Sequence, residues 1–151
     1  MQTSFYISGF LYSPKTNQIL LIQSKSGTNQ SLWSTIGGEG KGKEEAAAAF
    51  QRITNLLLNI NLRPKDIYPI YDYFHNVRNK PNHVFYAEVK STKKFNDLDS
   101  GTPTWITFGE ISKLLFTAQT KQDIIVGERV IKAKLRDIEA QELKELQEQF
   151  A

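Results

Sequence analysis

Apolar residues fall in short, β-branched and aromatic runs through much of the chain and take helical spacing in two longer stretches. Phe5–Tyr12 (FYISGFLY) reads as a strand closed by Ser13–Pro14, and Gln18–Gln23 as a second. The polar turn Ser13–Asn17 between them makes a hairpin the economical pairing. Ser24–Ser31 is polar and reads as a loop, Trp33–Ile36 is short and apolar, and Gly37–Lys43 reads as a glycine-rich loop without regular structure. Glu44–Ile60 predicts a helix, with two acids in a first turn that the helix dipole favours, then four alanines. Phe50, Ile53, Leu57 and Ile60 mark its buried stripe, and Asn59–Asn61 with Pro64 end it. Asp66–His75 and His83–Val89 predict strands joined by the turn Asn76–Asn82, with Pro81 inside it. Ser91–Thr104 is a polar connection, Thr104–Phe108 a short strand and Gly109–Phe116 a short helix. From about Thr120 to Phe150 the pattern is helical, with a break near Gly127 or Arg136–Asp137 as an option. Its stripe runs Ile124, Ile131, Leu135, Ile138, extended by Leu143, Leu146 and Phe150. The order of elements points to an α+β domain over 1–151, a mixed sheet between helices with a long C-terminal helix.

Composition narrows the class. With 151 residues, 40% hydrophobic and 23% charged, the chain fits one ordinary globular domain. It has no cysteine, which excludes a disulfide scaffold, a thiolate metal site and a cysteine nucleophile. No apolar run approaches a membrane span, and the start Met1–Phe5 has no basic region of a secretory signal, so a cytoplasmic location is expected. The net charge of +3 suits an anionic small-molecule ligand but is far from a dedicated DNA or RNA binder.

Four glycines in six residues ahead of a helix are more than a turn needs. Successive backbone N–H groups there suit an anion nest of Gly37 and Gly38, with Lys41 and Lys43 adding positive charge. Gly37 and Gly42–Lys43 also match the opening of a P-loop, but Glu44 stands where that motif needs Ser or Thr. The spacing Gly38, five residues, Glu44, seven residues, Arg52, with Ile60 at a final aliphatic position, resembles the Nudix box G-x5-E-x7-R-E-U-x-E-E-x-G-U. The lead-in Leu32-Trp33-Ser34-Thr35-Ile36-Gly37-Gly38 is similar to that family's W-x-x-P-G-G, with Ile36 where proline is common. The resemblance covers Phe5 to about Ile131. It implies strands before the box, a loop and helix in it, strands and a C-terminal helix after it, and diphosphate hydrolysis driven by Mg²⁺ or Mn²⁺ bound to box glutamates.

The acidic part of the box departs from the pattern. Arg-Glu-U-x-Glu-Glu aligns with Arg52-Ile53-Thr54-Asn55-Leu56-Leu57, Asn59 replaces the glycine, and Ala46 to Lys65 holds no Asp or Glu at all. Mg²⁺ and Mn²⁺ need carboxylate oxygens, which isoleucine and leucine do not offer. Glu44, with Glu45 beside it, is the candidate for any remaining catalytic or metal-binding role, and no cofactor is expected unless hydrolysis survives.

Other residues carry open alternatives. Arg52, an orienting residue in the family, can meet Glu45, contact a ligand phosphate or lie on the helix surface. Trp33 is expected to pack. Tyr71 and Tyr73 share a strand face, and either can stack on a base. His75 and His83 lack an evident third ligand. Asp72 and Glu88 are strand acids that can act as a base but suit a solvated face. The leading reading is a protein that binds a nucleotide or other diphosphate-bearing ligand, with metal-dependent hydrolysis lost or strongly weakened. One alternative is an active hydrolase that recruits Glu39, Glu44, Glu45 or Glu88. Another is an interaction module, and the long C-terminal helix also makes a homodimer an expectation.

Overall fold

The computed structural model describes residues 4–25 and 31–150. The elements run β1 (Tyr6–Ser13), β2 (Gln18–Ser24), β3 (Trp33–Ser34), β4 (Ile36–Glu39), α1 (Ala46–Leu58), β5 (Ile67–His75), β6 (Lys80–Glu88), β7 (Gly101–Thr107) and α2 (Ala118–Gln149). Short 3-10 turns at Pro64–Asp66 and Phe108–Lys113 precede β5 and follow β7. The loop predicted at Ser24–Ser31 lies for the most part outside the described residues.

The sheet is mixed. β1 runs parallel to β6, and every other pairing is antiparallel. The predicted hairpin forms, but β1 and β2 pair only next to their turn, from Leu11↔Leu20 to Ser13↔Gln18. Beyond that they part. β4 takes the vacated edge of β1 at Tyr6–Gly9, and β3 takes that of β2 at Ile22–Gln23. Gly37 and Gly38 are therefore strand residues, which corrects the reading of Gly37–Lys43 as wholly irregular. They are small because neighbours press on them. A Cβ on Gly37 would lie 2.6 Å from Tyr6 Oη, one on Gly38 2.8 Å from Ile53 Cδ1, and one on Gly40 2.0 Å from the Phe5 ring.

Alternation along the strands divides the core between the two faces of the sheet. Ile7, Leu11, Leu20, Ile22, Phe85 and Ala87 pack with Ala49, Phe50 and Leu58 of α1. Phe10, Tyr12, Ile19, Leu21, Tyr86 and Ile106 pack with Ile124 and Ile131 of α2. The sheet thus lies between two helices, as expected. No helix among the described residues is long and apolar enough to cross a membrane.

Several boundaries move. α1 starts at Ala46, so Glu44 and Glu45 precede it and no acid occupies its first turn. Its buried residues are Ala49, Phe50, Thr54 and Leu58, whereas the predicted Leu57 faces out. Asn59 caps the helix at φ 53°, the left-handed conformation in which Asn is the usual substitute for Gly. The β5–β6 turn is only residues 76–79, which places Pro81 and Asn82 in β6. β7 begins three residues before the predicted strand. α2 is one unbroken helix. Gly127 does not interrupt it but lets it approach the sheet, since a Cβ there would lie 2.8 Å from Phe10 Cζ and 3.0 Å from Ile70 Cδ1. The α2 stripe is buried only as far as Ile131. Leu135, Ile138, Leu143, Leu146 and Phe150 are exposed on the helix that follows.

Candidate functional site

The turn between β4 and α1 is held by the chain itself. The Lys41 N–H donates to Glu44 Oε1 (3.0 Å), and the Glu44 N–H donates back to the Lys41 carbonyl (2.8 Å). The Gly40 N–H donates to the Phe5 carbonyl at 2.9 Å. These N–H groups are used within the protein, and Gly37 and Gly38 lie in β4. Lys41 and Lys43 are exposed.

Arg52 reaches back from α1 to the same turn. Its Nε donates to Glu44 Oε2 (2.8 Å) and its Nη2 to Glu44 Oε1 (2.9 Å) and to the Glu39 carbonyl (3.1 Å). The partner is Glu44, not the Glu45 weighed from the sequence. Glu45 is the helix N-cap, exposed and without a side-chain capping bond. The Arg52 guanidinium, with help from the Lys41 N–H, pushes the Glu44 carboxyl down to about 2. Lys80 at the start of β6 meets Glu39 Oε1 at 2.8 Å and holds that carboxyl below its ordinary value.

A divalent cation does not fit this donor set. The positions that resemble the metal-binding acids are Ile53, folded against Gly38, and Leu56 and Leu57, which are 76% and 36% exposed. Both oxygens of Glu44 are engaged by Arg52. A cation placed there would compete with the Arg52 guanidinium for Glu44 and would meet hydrocarbon where the pattern sets its other acids. Among the described residues no group of three or more His, Asp or Glu side chains stands close enough to share an ion. His75 Nδ1 accepts from the Arg78 N–H, while His83 lies edge-on to Phe5 and 3.8 Å from Asp72. Glu88 is held by Lys134 of α2 at 3.1 Å, engaged away from the box. Trp33 is buried, as expected.

A cavity of about 790 Å³ is walled by residues of β1, β4, α1, β5, β6 and the start of α2. Its rim holds Tyr6, Gly37, Leu57, His75 and Arg78, with the Arg78 guanidinium 3.8 Å above the Tyr6 ring. Deeper in, Tyr73, Asn82, Gln119 and Asp123 line it. The Asp123 carboxylate accepts from Tyr71 Oη (2.6 Å), Gln119 Nε2 (3.0 Å) and Tyr73 Oη (3.2 Å). Burial pushes this carboxyl up against the three donors, and burial beside Asp123 pushes both phenols up. Tyr71 and Tyr73 do share a face, and what they serve is this acid. Sequence reasoning missed Asp123, although it stands among Ile124, Gly127 and Ile131 as the one acid in a buried helical stripe. Nothing in the sequence marks Asn82 or Gln119.

No family model and no curated protein matches the sequence. Solved structures do. The NUDIX domain of Shewanella oneidensis NrtR, solved with ADP ribose, is similar with a TM-score of 0.66 at 13% identity, over 87% of this chain and 89% of that one. A NUDIX-family hydrolase from Clostridium perfringens gives 0.64 at 14%, over 85% and 96%. A MutT/nudix family protein from Enterococcus faecalis gives 0.54 at 18% over 70% of this chain, which spans only 44% of that longer protein. The fold is the Nudix fold. The likeness at such low identity carries architecture alone, and within the Nudix fold the residues at the box positions here are this chain's own.

Proposed function

We propose that this Nudix-fold chain binds a nucleotide or other diphosphate-bearing small molecule in the 790 Å³ cavity, with the metal-dependent hydrolysis that the box resemblance implies lost or strongly weakened. One observation carries the reading. The acidic positions of the box are Ile53, Leu56 and Leu57, and the remaining acid, Glu44, is locked by Arg52. The cavity has a size suited to such a ligand. Arg78 at its rim supplies a cation without any metal, and the S. oneidensis domain of the same fold was solved with ADP ribose. Gly37 lines the cavity, and Gly38, Lys41 and Lys43, close by in the chain, are candidates for further phosphate contacts.

Turnover tests it. The protein at high concentration is incubated with nucleoside triphosphates, dinucleoside polyphosphates and nucleotide sugars, with Mg²⁺ or Mn²⁺, beside Glu44→Gln. The expected result is no product, together with a melting shift by a nucleoside diphosphate in the absence of metal. Turnover lost in Glu44→Gln would replace this reading by an active hydrolase built on Glu44.

The second reading, an interaction module, draws on the exposed apolar residues from Leu135 to Leu146 of α2 and Phe150 at its end. A cavity that binds no small ligand would move the function to that surface.

A further inference from the structure

The deep end of the cavity has a polarity of its own. Asp123 is 3% exposed, yet among the described residues no basic side chain pairs with it, and its three donors are neutral. A buried carboxylate without a cation is costly and is retained where something compensates it. Each carboxylate oxygen accepts two hydrogen bonds. Oδ1 already has two, from Tyr71 and Gln119, whereas Oδ2 has only the long one from Tyr73.

Asn82, 2% exposed, stands next to it in the network. Its Nδ2 donates to Ser8 Oγ (3.1 Å) and to Tyr73 Oη (3.2 Å), so both amide hydrogens are used and the amide is oriented. No described residue donates to its Oδ1. Tyr73 Oη joins the two, donating to Asp123 and accepting from Asn82. All three line the cavity. The unused capacity of this pair is therefore that of acceptors, which select a ligand edge made of donors.

We propose that Asp123 and Asn82 read a nucleobase edge with adjacent N–H donors, a ring N–H beside an exocyclic amine as in guanine, while the diphosphate lies toward Arg78. An adenine edge sets a ring-nitrogen lone pair beside its amine and meets an acceptor with an acceptor. The inference rests on the reading that the cavity holds a nucleotide, and it adds which base.

The test is titration calorimetry on the full chain with chelator present, using guanosine, inosine and adenosine 5′-diphosphates and free guanosine. The guanosine diphosphate is expected to bind at least tenfold tighter than the other two diphosphates. Asp123→Asn, checked for folding by circular dichroism, is expected to bring it down to their level. If that variant does not fold, the ligand series on the native chain decides alone. Equal affinity for the three diphosphates, or a preference for adenosine, overturns base reading and leaves the diphosphate reading standing. Guanosine binding as tightly as its diphosphate keeps base reading and overturns the diphosphate reading. No binding of any of the four at millimolar concentration overturns both.

Discussion

Arg52 and Glu44 form a two-pronged ion pair, with Nε 2.8 Å from Oε2 and Nη2 2.9 Å from Oε1, which ties the middle of α1 to the turn before it. The pair leaves neither oxygen of the last box carboxylate without a partner. Its side chains are only 18% (Glu44) and 27% (Arg52) exposed, so water screens it less than an open surface pair. Arg52→Met is expected to cost about 1–2 kcal/mol at pH 7. A carboxyl held low in the folded state contributes stability above its unfolded value of about 4.5, and that contribution is lost as pH falls toward about 2. The native protein and the variant therefore converge in stability at the acid end, which urea melts between pH 7 and pH 2.5 would show.

Asp123 works in the opposite sense. Its carboxyl is pushed up by burial, so the folded state holds the proton more tightly than the unfolded one. Stability falls as pH rises from the ordinary carboxyl range through the raised folded value, and then levels. Asp123→Asn removes that slope. Thermal melts of both proteins from pH 3.5 to 8 are expected to diverge in this way, and parallel curves would contradict it.

Thr54 stands at an aliphatic position of the box pattern with its Oγ1 buried and unpartnered. An unmet buried hydroxyl is unfavourable, so Thr54→Val is expected to raise stability by about 1 kcal/mol. Chemical denaturation at unchanged slope measures it.

Gly127→Ala improves helix propensity but drives a methyl into the Phe10 ring and Ile70. The ring is in the core and has no room to retreat, so a net loss of about 1–3 kcal/mol is expected. Because Asp123 lies one turn earlier on the same helix, the variant is also expected to weaken the proposed ligand binding in the cavity. Calorimetric titration beside a melt reads both effects.

Leu143→Lys with Leu146→Lys changes residues that are exposed on α2 beyond the core. The melting free energy of the dilute protein is expected to stay within about 0.5 kcal/mol. A larger loss would show that this stretch of helix is packed in solution.

Local chemistry was legible from residue order. Strand alternation, the alanine-led helix with its asparagine stop and the absence of any carboxylate between Ala46 and Lys65 are properties of neighbouring residues, and a hard-cation site is disfavoured by them before any fold is known. The sandwich of sheet and helices followed from the order of elements and the box resemblance. Tertiary structure decided what depends on residues far apart. Gly37 and Gly38 are a strand because β1 and β2 part and leave an edge whose backbone groups need partners. Arg52 chose Glu44 over Glu45 because the turn at residues 41–44 presents one carboxylate to it and Glu45 became the cap. Asp123 gained its meaning from Tyr71 and Tyr73, 52 and 50 positions away, since only packing of α2 on the sheet brings phenols to a buried acid. Periodicity reports which face of an element is buried. It does not report which polar group waits on the other side.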